Sequence, residues 1–188
     1  MLSVNKKLWG LPSLGLLILL YIPLAYAVDL NAQLVNAIQH NDVEFINHKL
    51  SQGLSVDYRI KTETLLMIAA RAGRYELVTI LVGKGAKVNA KSGKGHNAMS
   101  FSSRYGHLRI VQYLLNHGAE VNIQNNNKWT PLLKAARGGH LMVVDYLLAH
   151  DADINSRNTA GFDAEGLAKR YRHKRVVNYL KKYKRNYK

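Results

Sequence analysis

The sequence predicts an all-α solenoid of about five helix–turn–helix repeats, joined by hairpin loops. Two observations carry this prediction. The chain aligns with itself at a spacing of 33 residues, and each copy holds a short segment of small residues and a second, apolar segment separated from it by a turn. A unit of this size cannot bury its apolar face alone, so neighbouring copies must stack to make a continuous core.

The repeat register is consistent along most of the chain. Four copies align without a gap, and an earlier copy aligns after one step of 32 residues. We therefore predict repeats at about 30–60, 61–93, 94–126, 127–159 and 160–183, followed by a basic tail over 184–188. The positions that recur every 33 residues include Ala69, Ser102, Ala135 and Ala168; Gly73, Gly106 and Gly139; and Asn89, Asn122 and Asn155.

Each first helix is predicted to begin after a residue that accepts a hydrogen bond from a free backbone N–H. These capping residues are Thr64, Asn97, Thr130 and Asp163. Pro131 follows one of them at the first helical position, where a missing N–H does no harm. Glycines that tolerate positive φ are predicted to end the first helices, and Gly53, Gly85, Gly118 and Asp151 to end the second helices. Ala135 is predicted to lie between packed helices and Lys134 to face outward.

The segment before the repeats is predicted to be a cleaved signal peptide over residues 1–27. Lys6 and Lys7 precede an apolar run over 14–24, and small residues at Ala25 and Ala27 suit signal peptidase. That run is too short for a membrane-spanning helix, which needs about 20 apolar residues. We expect the mature chain to begin at Val28 and to be periplasmic or secreted, from a Gram-negative bacterium.

Composition excludes several kinds of site and favours acidic partners. The 188 residues carry 27 Lys and Arg against 12 Asp and Glu, a formal net charge of +15, and there is no cysteine. Disulfides, thiolate metal sites and a cysteine nucleophile are therefore excluded. The charge favours acidic proteins, phosphate-bearing polymers or anionic membranes as neighbours.

The repeats resemble those of the ankyrin-repeat family, whose period is 33 and whose signature contains Thr-Pro-Leu-His-x-Ala. Residues 130–135 match this signature except for Leu133 in place of His. Gly-His-Leu at 106–108 and 139–141, and Gly-Ala-x-Val-Asn at 85–89 and 118–122, are also similar to that family, whereas 97–100 and 163–166 depart from it. The resemblance implies an ankyrin-repeat solenoid that binds a protein partner in a concave groove. It also implies that Asn89, Asn122 and Asn155 hold the hairpin turns.

No motif indicates catalysis, a cofactor or a metal. His107, His140 and His173 recur with the repeat, as do His117 and His150, so we interpret them as structural. The acidic residues form no pair arranged for acid–base catalysis. We therefore expect a non-enzymatic protein without catalytic, cofactor-binding or metal-binding residues, acting as a monomer.

The candidate partner-binding residues are a column of arginines and the aromatic residues beside it. Arginine suits carboxylates and phosphates, and arginine and aromatic residues together are typical of interface anchors. Two interpretations stay open: the column binds an acidic partner, or it is solvated and opposes the helix dipoles. The residues are Arg71, Arg104, Tyr105, Trp129, Arg137, Phe162, Arg170 and Tyr171.

The C-terminal region supports an alternative function. Ten Lys or Arg and no acid follow Glu165, and Tyr179, Tyr183 and Tyr187 recur at the helical spacing of four. A continued last helix would have one aromatic stripe and a basic remainder, which suits an anionic membrane surface or another anionic polymer. The other interpretation is a solubilising cap whose end frays.

Overall fold

The computed structural model describes residues 29–186. The predicted signal peptide lies outside the described residues, as does Tyr187. The chain divides into two units, with the boundary between Asn36 and Ala37. The described part of the first unit, residues 29–36, is helical.

The repeats are pairs of short helices, as the 33-residue spacing predicts. Between successive pairs the chain forms loops, and the first loop contains a two-stranded antiparallel hairpin with Arg59 opposite Thr64. The strands are Arg59–Ile60 (β1) and Glu63–Thr64 (β2). The helices are residues 29–40 (α1), Val43–Ser51 (α2), Leu65–Arg71 (α3), Tyr75–Gly83 (α4), Ala98–Tyr105 (α5), Leu108–Asn116 (α6), Pro131–Gly138 (α7), Leu141–Leu148 (α8), Ala164–Arg170 (α9) and Lys174–Asn186 (α10).

The predicted helix starts are confirmed. The hydroxyl of Thr130 accepts a hydrogen bond from the N–H of Leu133 at 3.3 Å, and Pro131 opens α7. This bond satisfies a backbone N–H that has no acceptor inside its own helix. The side chains of the other three caps accept the same bond: Thr64 from the N–H of Met67, Asn97 from that of Ser100 and Asp163 from that of Gly166.

The turn between the two helices of the third repeat favours glycine for two reasons. Gly106 has φ +77°, which L-residues with a Cβ rarely adopt. A Cβ at this position would also lie 2.4 Å from Nδ1 of His140, in the next repeat. The glycine therefore both turns the chain and lets the following repeat approach.

The first helices form the centre of the stack. α5 packs against α3 on one side and α7 on the other, and α7 also packs against α9. Their residues are consequently buried on nearly every side, and Ala135 is fully buried, as predicted. The second helices are buried along one stripe, which in α8 contains Val143, Val144 and Leu147. Burial of each Val or Leu side chain contributes about 1.5–3 kcal/mol to the stability of the folded protein.

The prediction that Lys134 faces outward was wrong, because α7 is packed on both sides. Lys134 is 4% exposed. The residues at the same position in the second, third and fifth repeats are Ile68, Phe101 and Leu167, all buried. Lys134 is therefore a charged residue at a position that is apolar and buried in these three repeats.

The recurring asparagines connect neighbouring repeats rather than only their own turns. The Nδ2 of Asn89 donates to the carbonyl of Gly118 at 2.8 Å, and its Oδ1 accepts from the N–H of Glu120 at 3.0 Å. Asn122 makes the equivalent pair of bonds with Asp151 and Asp153. These asparagines belong to the scaffold, as the resemblance implies, but they reach one repeat further along the chain.

The last helix does not end where the sequence placed the start of a basic tail. α10 continues from Lys174 through Asn186, past residue 183, and buries Val176 and Leu180. The hydroxyl of Tyr183 donates to the carbonyl of Leu148 at 3.2 Å. The helix is therefore continuous across residues 183 and 184.

The tyrosines of α10 contact the repeat before them. The hydroxyl of Tyr179 donates to the carboxylate of Asp145, in α8. Within residues 29–186, no helix combines the length and the apolar character that crossing a bilayer requires.

Candidate partner-binding face

The four arginines occupy the last turn of the four first helices α3, α5, α7 and α9. We call the surface that they form with their aromatic neighbours the arginine face. It consists of Arg71, Arg104, Arg137 and Arg170 together with Phe101, Tyr105, Trp129, Phe162 and Tyr171.

Recurring histidines fix the backbone of this column. The Nε2 of His140 lies 2.9 Å from the carbonyl oxygen of Arg104, and His173 makes the same contact with Arg137 at 2.9 Å. A carbonyl can only accept, so Nε2 carries the proton in each case. Burial is the main cause that lowers the pKa of His140, while its bond to Arg104 opposes that shift. The interpretation of these histidines as structural is thus confirmed, since each joins two repeats.

The arginine at the start of the column has an internal acidic partner. The Nη1 of Arg71 lies 2.7 Å from Oε2 of Glu63, in the hairpin of the same repeat. Its guanidinium carbon is also 5.3 Å from the ring centroid of Phe101. Arg71 is therefore neutralised by the chain itself.

The other three arginines contact aromatic rings instead. Arg137 lies against two of them, with its Cζ 5.4 Å from the centroid of Trp129 and 5.0 Å from that of Tyr171. The attraction between a cation and an aromatic ring contributes about 0.5–1 kcal/mol at an exposed site. The remaining pairs are Arg104 over Tyr105 at 5.7 Å and Arg170 over Phe162 at 5.2 Å. In the described part of the chain, these three arginines form no ion pair.

The difference between Arg71, which has an acidic partner, and the other three arginines follows from the residue at one position of the hairpin loops. The register places Glu63, His96, Trp129 and Phe162 at the same point of successive repeats. Burial, followed by the charges of Lys134, Arg104 and Lys94, lowers the pKa of His96 to about 4, so this imidazole is neutral near pH 7. The position is therefore acidic in the second repeat and uncharged in the next three.

Lys134 adds a buried cation beside the column, and sequence reasoning missed it. Its Nζ lies 4.7 Å from the ring centroid of Trp129, the same ring that Arg137 contacts. Burial, then the charges of Arg104 and Arg137, lowers the pKa of Lys134 to about 8. It is consequently still mostly protonated near pH 7. The signal that could have revealed it was the register, which aligns this lysine with Ile68, Phe101 and Leu167.

The acidic residues of the chain are distributed away from this region. Glu120 is the single Asp or Glu between Glu76 and Asp145, a stretch that contains nine Lys or Arg. Near the C-terminus, by contrast, Asp163 and Glu165 each pair with Lys184, at 3.1 and 3.4 Å. The centre of the arginine face therefore has an excess of positive charge that the chain does not compensate locally.

The structure places seven of the eight candidate residues in three groups of arginine–ring contacts, whereas Arg71 contacts Glu63 and Phe101 instead. Tyr105 and Tyr171 are 46% and 41% exposed, the two most accessible aromatic side chains of these groups. In residues 29–186 no group of three or more His, Asp or Glu is arranged to hold a metal ion.

Comparison with known families agrees with this architecture. A family model described as ankyrin repeats, with three copies, matches residues 24–125 and again residues 99–188. A comparison with curated proteins finds no match. Proteins built from these repeats generally act as protein–protein interaction modules rather than as enzymes. The chain, matched over almost all of its repeats, belongs to the ankyrin-repeat family.

Proposed function

We propose that this protein binds an acidic segment of a partner protein through the arginine face. The observation that carries the proposal is the absence, within the described residues, of any acidic partner for Arg104 and Arg137, beside exposed aromatic rings. An acidic segment would supply the missing charges, and its apolar atoms would cover the rings.

The residue types support a shaped interface rather than a general basic surface. Arginine, tyrosine and tryptophan contribute most to binding when they lie centrally in an interface, where water is excluded. Contacts between rings and guanidinium groups hold the arginines in place before binding, so less side-chain entropy is lost on association. The protein would act as a monomer, which size-exclusion chromatography with light scattering measures directly.

The alternative is charge-driven binding of an anionic polymer or membrane through the C-terminal region. Two contacts weaken it. Tyr183 donates to Leu148, so this part of the predicted aromatic stripe faces the protein. Lys184 is already paired with Asp163 and Glu165, which reduces the charge available for another surface. Five exposed cations remain on this helix, and three of them, Lys181, Lys182 and Arg185, lie in its C-terminal half.

The test compares these two surfaces with one defined probe. A labelled peptide in which glutamate alternates with alanine is titrated into the protein, at low and at high salt. We expect Arg104→Ala and Arg137→Ala each to weaken binding by about tenfold or more, since central charged contacts contribute most. The matched control is Arg109→Ala, which removes an exposed arginine that contacts Tyr75 on the second helices.

The tail is tested by substitution rather than by truncation, because removing residues 181–188 would delete part of α10. The triple change of Lys181, Lys182 and Arg185 to glutamine leaves the buried residues of that helix intact. The same variants are measured against vesicles of phosphatidylglycerol and phosphatidylcholine. If the triple variant loses binding to peptide and vesicles while the Arg104/Arg137 double variant binds normally, the proposal is wrong and the alternative is favoured.

Export is a separate proposal that rests on residues 1–27. We infer that the chain is cleaved before Val28, so that the repeats act in the periplasm or outside the cell. N-terminal sequencing of the protein recovered from the envelope and medium tests this. Replacement of Ala27 by a bulky residue should block cleavage, because signal peptidase accepts only small side chains there. Recovery of a chain that begins at Met1 would overturn the inference.

A further inference from the structure

We propose that Arg104, Lys134 and Arg137 form an anchor site that takes one carboxylate of a partner's Asp or Glu side chain. This inference rests on the proposed function and names its central contact. It identifies Lys134, a residue of the helix interior, as part of the binding surface.

The chain already contains the contact that such a partner would make. In the second repeat, Glu63 places its carboxylate on Arg71, with Nη1 at 2.9 Å from Oε1 and 2.7 Å from Oε2. In the third repeat the position of Glu63 is taken by the neutral His96, and in the fourth by Trp129. A carboxylate from outside would therefore restore at Arg104 or Arg137 what Glu63 provides at Arg71.

The fold gives no reason for a lysine at position 134. The equivalent residues of the second, third and fifth repeats, Ile68, Phe101 and Leu167, are apolar and 5%, 9% and 2% exposed. An ammonium at this position must be partly dehydrated, which disfavours its charged form. An apolar side chain would fit the column without that penalty, so the lysine has a role other than packing.

The ammonium group of Lys134 is buried but is not completely enclosed by protein atoms. Four side-chain atoms of the described residues are enclosed without a hydrogen-bond partner, namely Asn41 Oδ1, Arg74 Nε, Asn97 Nδ2 and Ser103 Oγ. Nζ of Lys134 is not among them, although within residues 29–186 it has no ion pair or hydrogen bond. It is therefore not completely enclosed by the protein.

Two of the three cations contact the same aromatic ring. Lys134 Nζ and Arg137 Cζ lie 4.7 and 5.4 Å from the same ring centroid, that of Trp129. The charges of Arg104 and Arg137 are among the causes that lower the pKa of Lys134, so these charges repel one another in the free protein. One anion would relieve this repulsion, and in a partly dehydrated site its attraction to each cation is stronger than in water.

The experiment measures binding of the alternating Glu–Ala peptide to Lys134→Met. We expect the affinity to fall by about tenfold or more, while the melting temperature rises. A purely structural residue would not give this combination, since its loss lowers both. Lys84→Met is the matched control, because Lys84 is exposed at the C-terminal end of α4. It should leave peptide affinity nearly unchanged.

Proton uptake provides a second measurement. At pH 8, near the pKa of free Lys134, binding of a carboxylate should draw up to about half a proton onto the protein. Calorimetry in buffers of different ionisation enthalpy detects this uptake, which should disappear in Lys134→Met. The same peptide with glutamine in place of glutamate should bind weakly and without proton uptake.

The outcomes separate this inference from the proposed function. If Arg104→Ala and Arg137→Ala weaken peptide binding but Lys134→Met does not, the face binds acidic segments and the anchor site is wrong. If none of the three substitutions weakens peptide binding, both proposals are wrong. A phosphoserine peptide that binds more tightly than the glutamate peptide and depends on Lys134 would overturn the assignment to carboxylates.

Discussion

Nε2 of His140 donates to the backbone carbonyl oxygen of Arg104 across 2.9 Å. The bond joins the start of the second helix in the fourth repeat to the end of the first helix in the third. Because Arg104 and Arg137 are each held in this way by the following repeat, the spacing of the arginine face is set by contacts between repeats.

We expect His140→Ala to reduce the free energy of unfolding by about 1–3 kcal/mol, since the carbonyl of Arg104 loses its partner in a partly buried place. Chemical denaturation measures this. His117→Ala is the matched control, because Nδ1 of that exposed histidine lies 2.8 Å from a carbonyl within its own helix. It should change stability by a few tenths of a kcal/mol. Equal losses at the two sites would contradict the assigned role of His140.

Gly106→Ala should destabilise the protein, whereas Gly83→Ala should not. At Gly106 a Cβ meets both a φ of +77° and the ring of His140 at 2.4 Å. The left-handed conformation alone costs an L-residue about 1–2 kcal/mol. At Gly83, in the last turn of α4, a Cβ meets nothing within 4 Å, and alanine should stabilise the helix by about 0.5–1 kcal/mol.

Thermal unfolding of the two glycine variants compares them directly. The midpoint of Gly106→Ala should lie below that of the unsubstituted protein and the midpoint of Gly83→Ala above it. A Gly106→Ala variant as stable as the unsubstituted protein would mean that the contact between this turn and His140 is not formed.

Ala135→Leu should overpack the fourth repeat and cost roughly 1–3 kcal/mol of stability. Ala135 is fully buried between first helices, so added methyl groups must displace their neighbours. Ala149→Leu is the appropriate control, since this alanine is exposed at the end of α8. Urea denaturation of both variants tests the register: similar losses would show that position 135 does not face the core.

Lys134→Met should raise the free energy of unfolding near pH 7 by about 1–3 kcal/mol, because a poorly compensated buried charge is replaced by an apolar chain of similar size. The gain should depend on pH in a defined direction. The pKa of Lys134 is about 8 in the folded protein and 10.5 in its ordinary state. Between these values the unfolded chain binds more protons, so the stability of the unsubstituted protein rises with pH.

The advantage of Lys134→Met is therefore full below pH 8 and shrinks as the pH approaches 10.5. Denaturant midpoints of the two proteins, measured across this window, test the sign. A difference that stays constant or widens with rising pH would mean that Lys134 is not a dehydrated cation in the folded state.

Much of the architecture was determined by the sequence alone. The period of 33, the four capping residues and the glycines at the turns are local features, because each acts on backbone within a few residues of itself. They were sufficient to predict the repeats, the helix starts and the positions of the arginines. The caps and Pro131 then appear in the structure with the hydrogen bonds and the place in the helix that the residue types indicate.

Tertiary structure alone decided which charges have partners. Arg71 and Arg137 occupy the same position of their repeats, yet Glu63 pairs with the first and aromatic rings contact the second. Likewise, Lys134 was expected to face solvent because lysine usually does, whereas packing of α7 between α5 and α9 buries it. The end of α10 also depends on tertiary contacts. Lys184 pairs with Asp163 and Glu165, and the helix continues beyond the last residue of the repeat pattern. Burial and charge pairing depend on neighbours that are distant in the chain, and for that reason only the assembled repeats determine them.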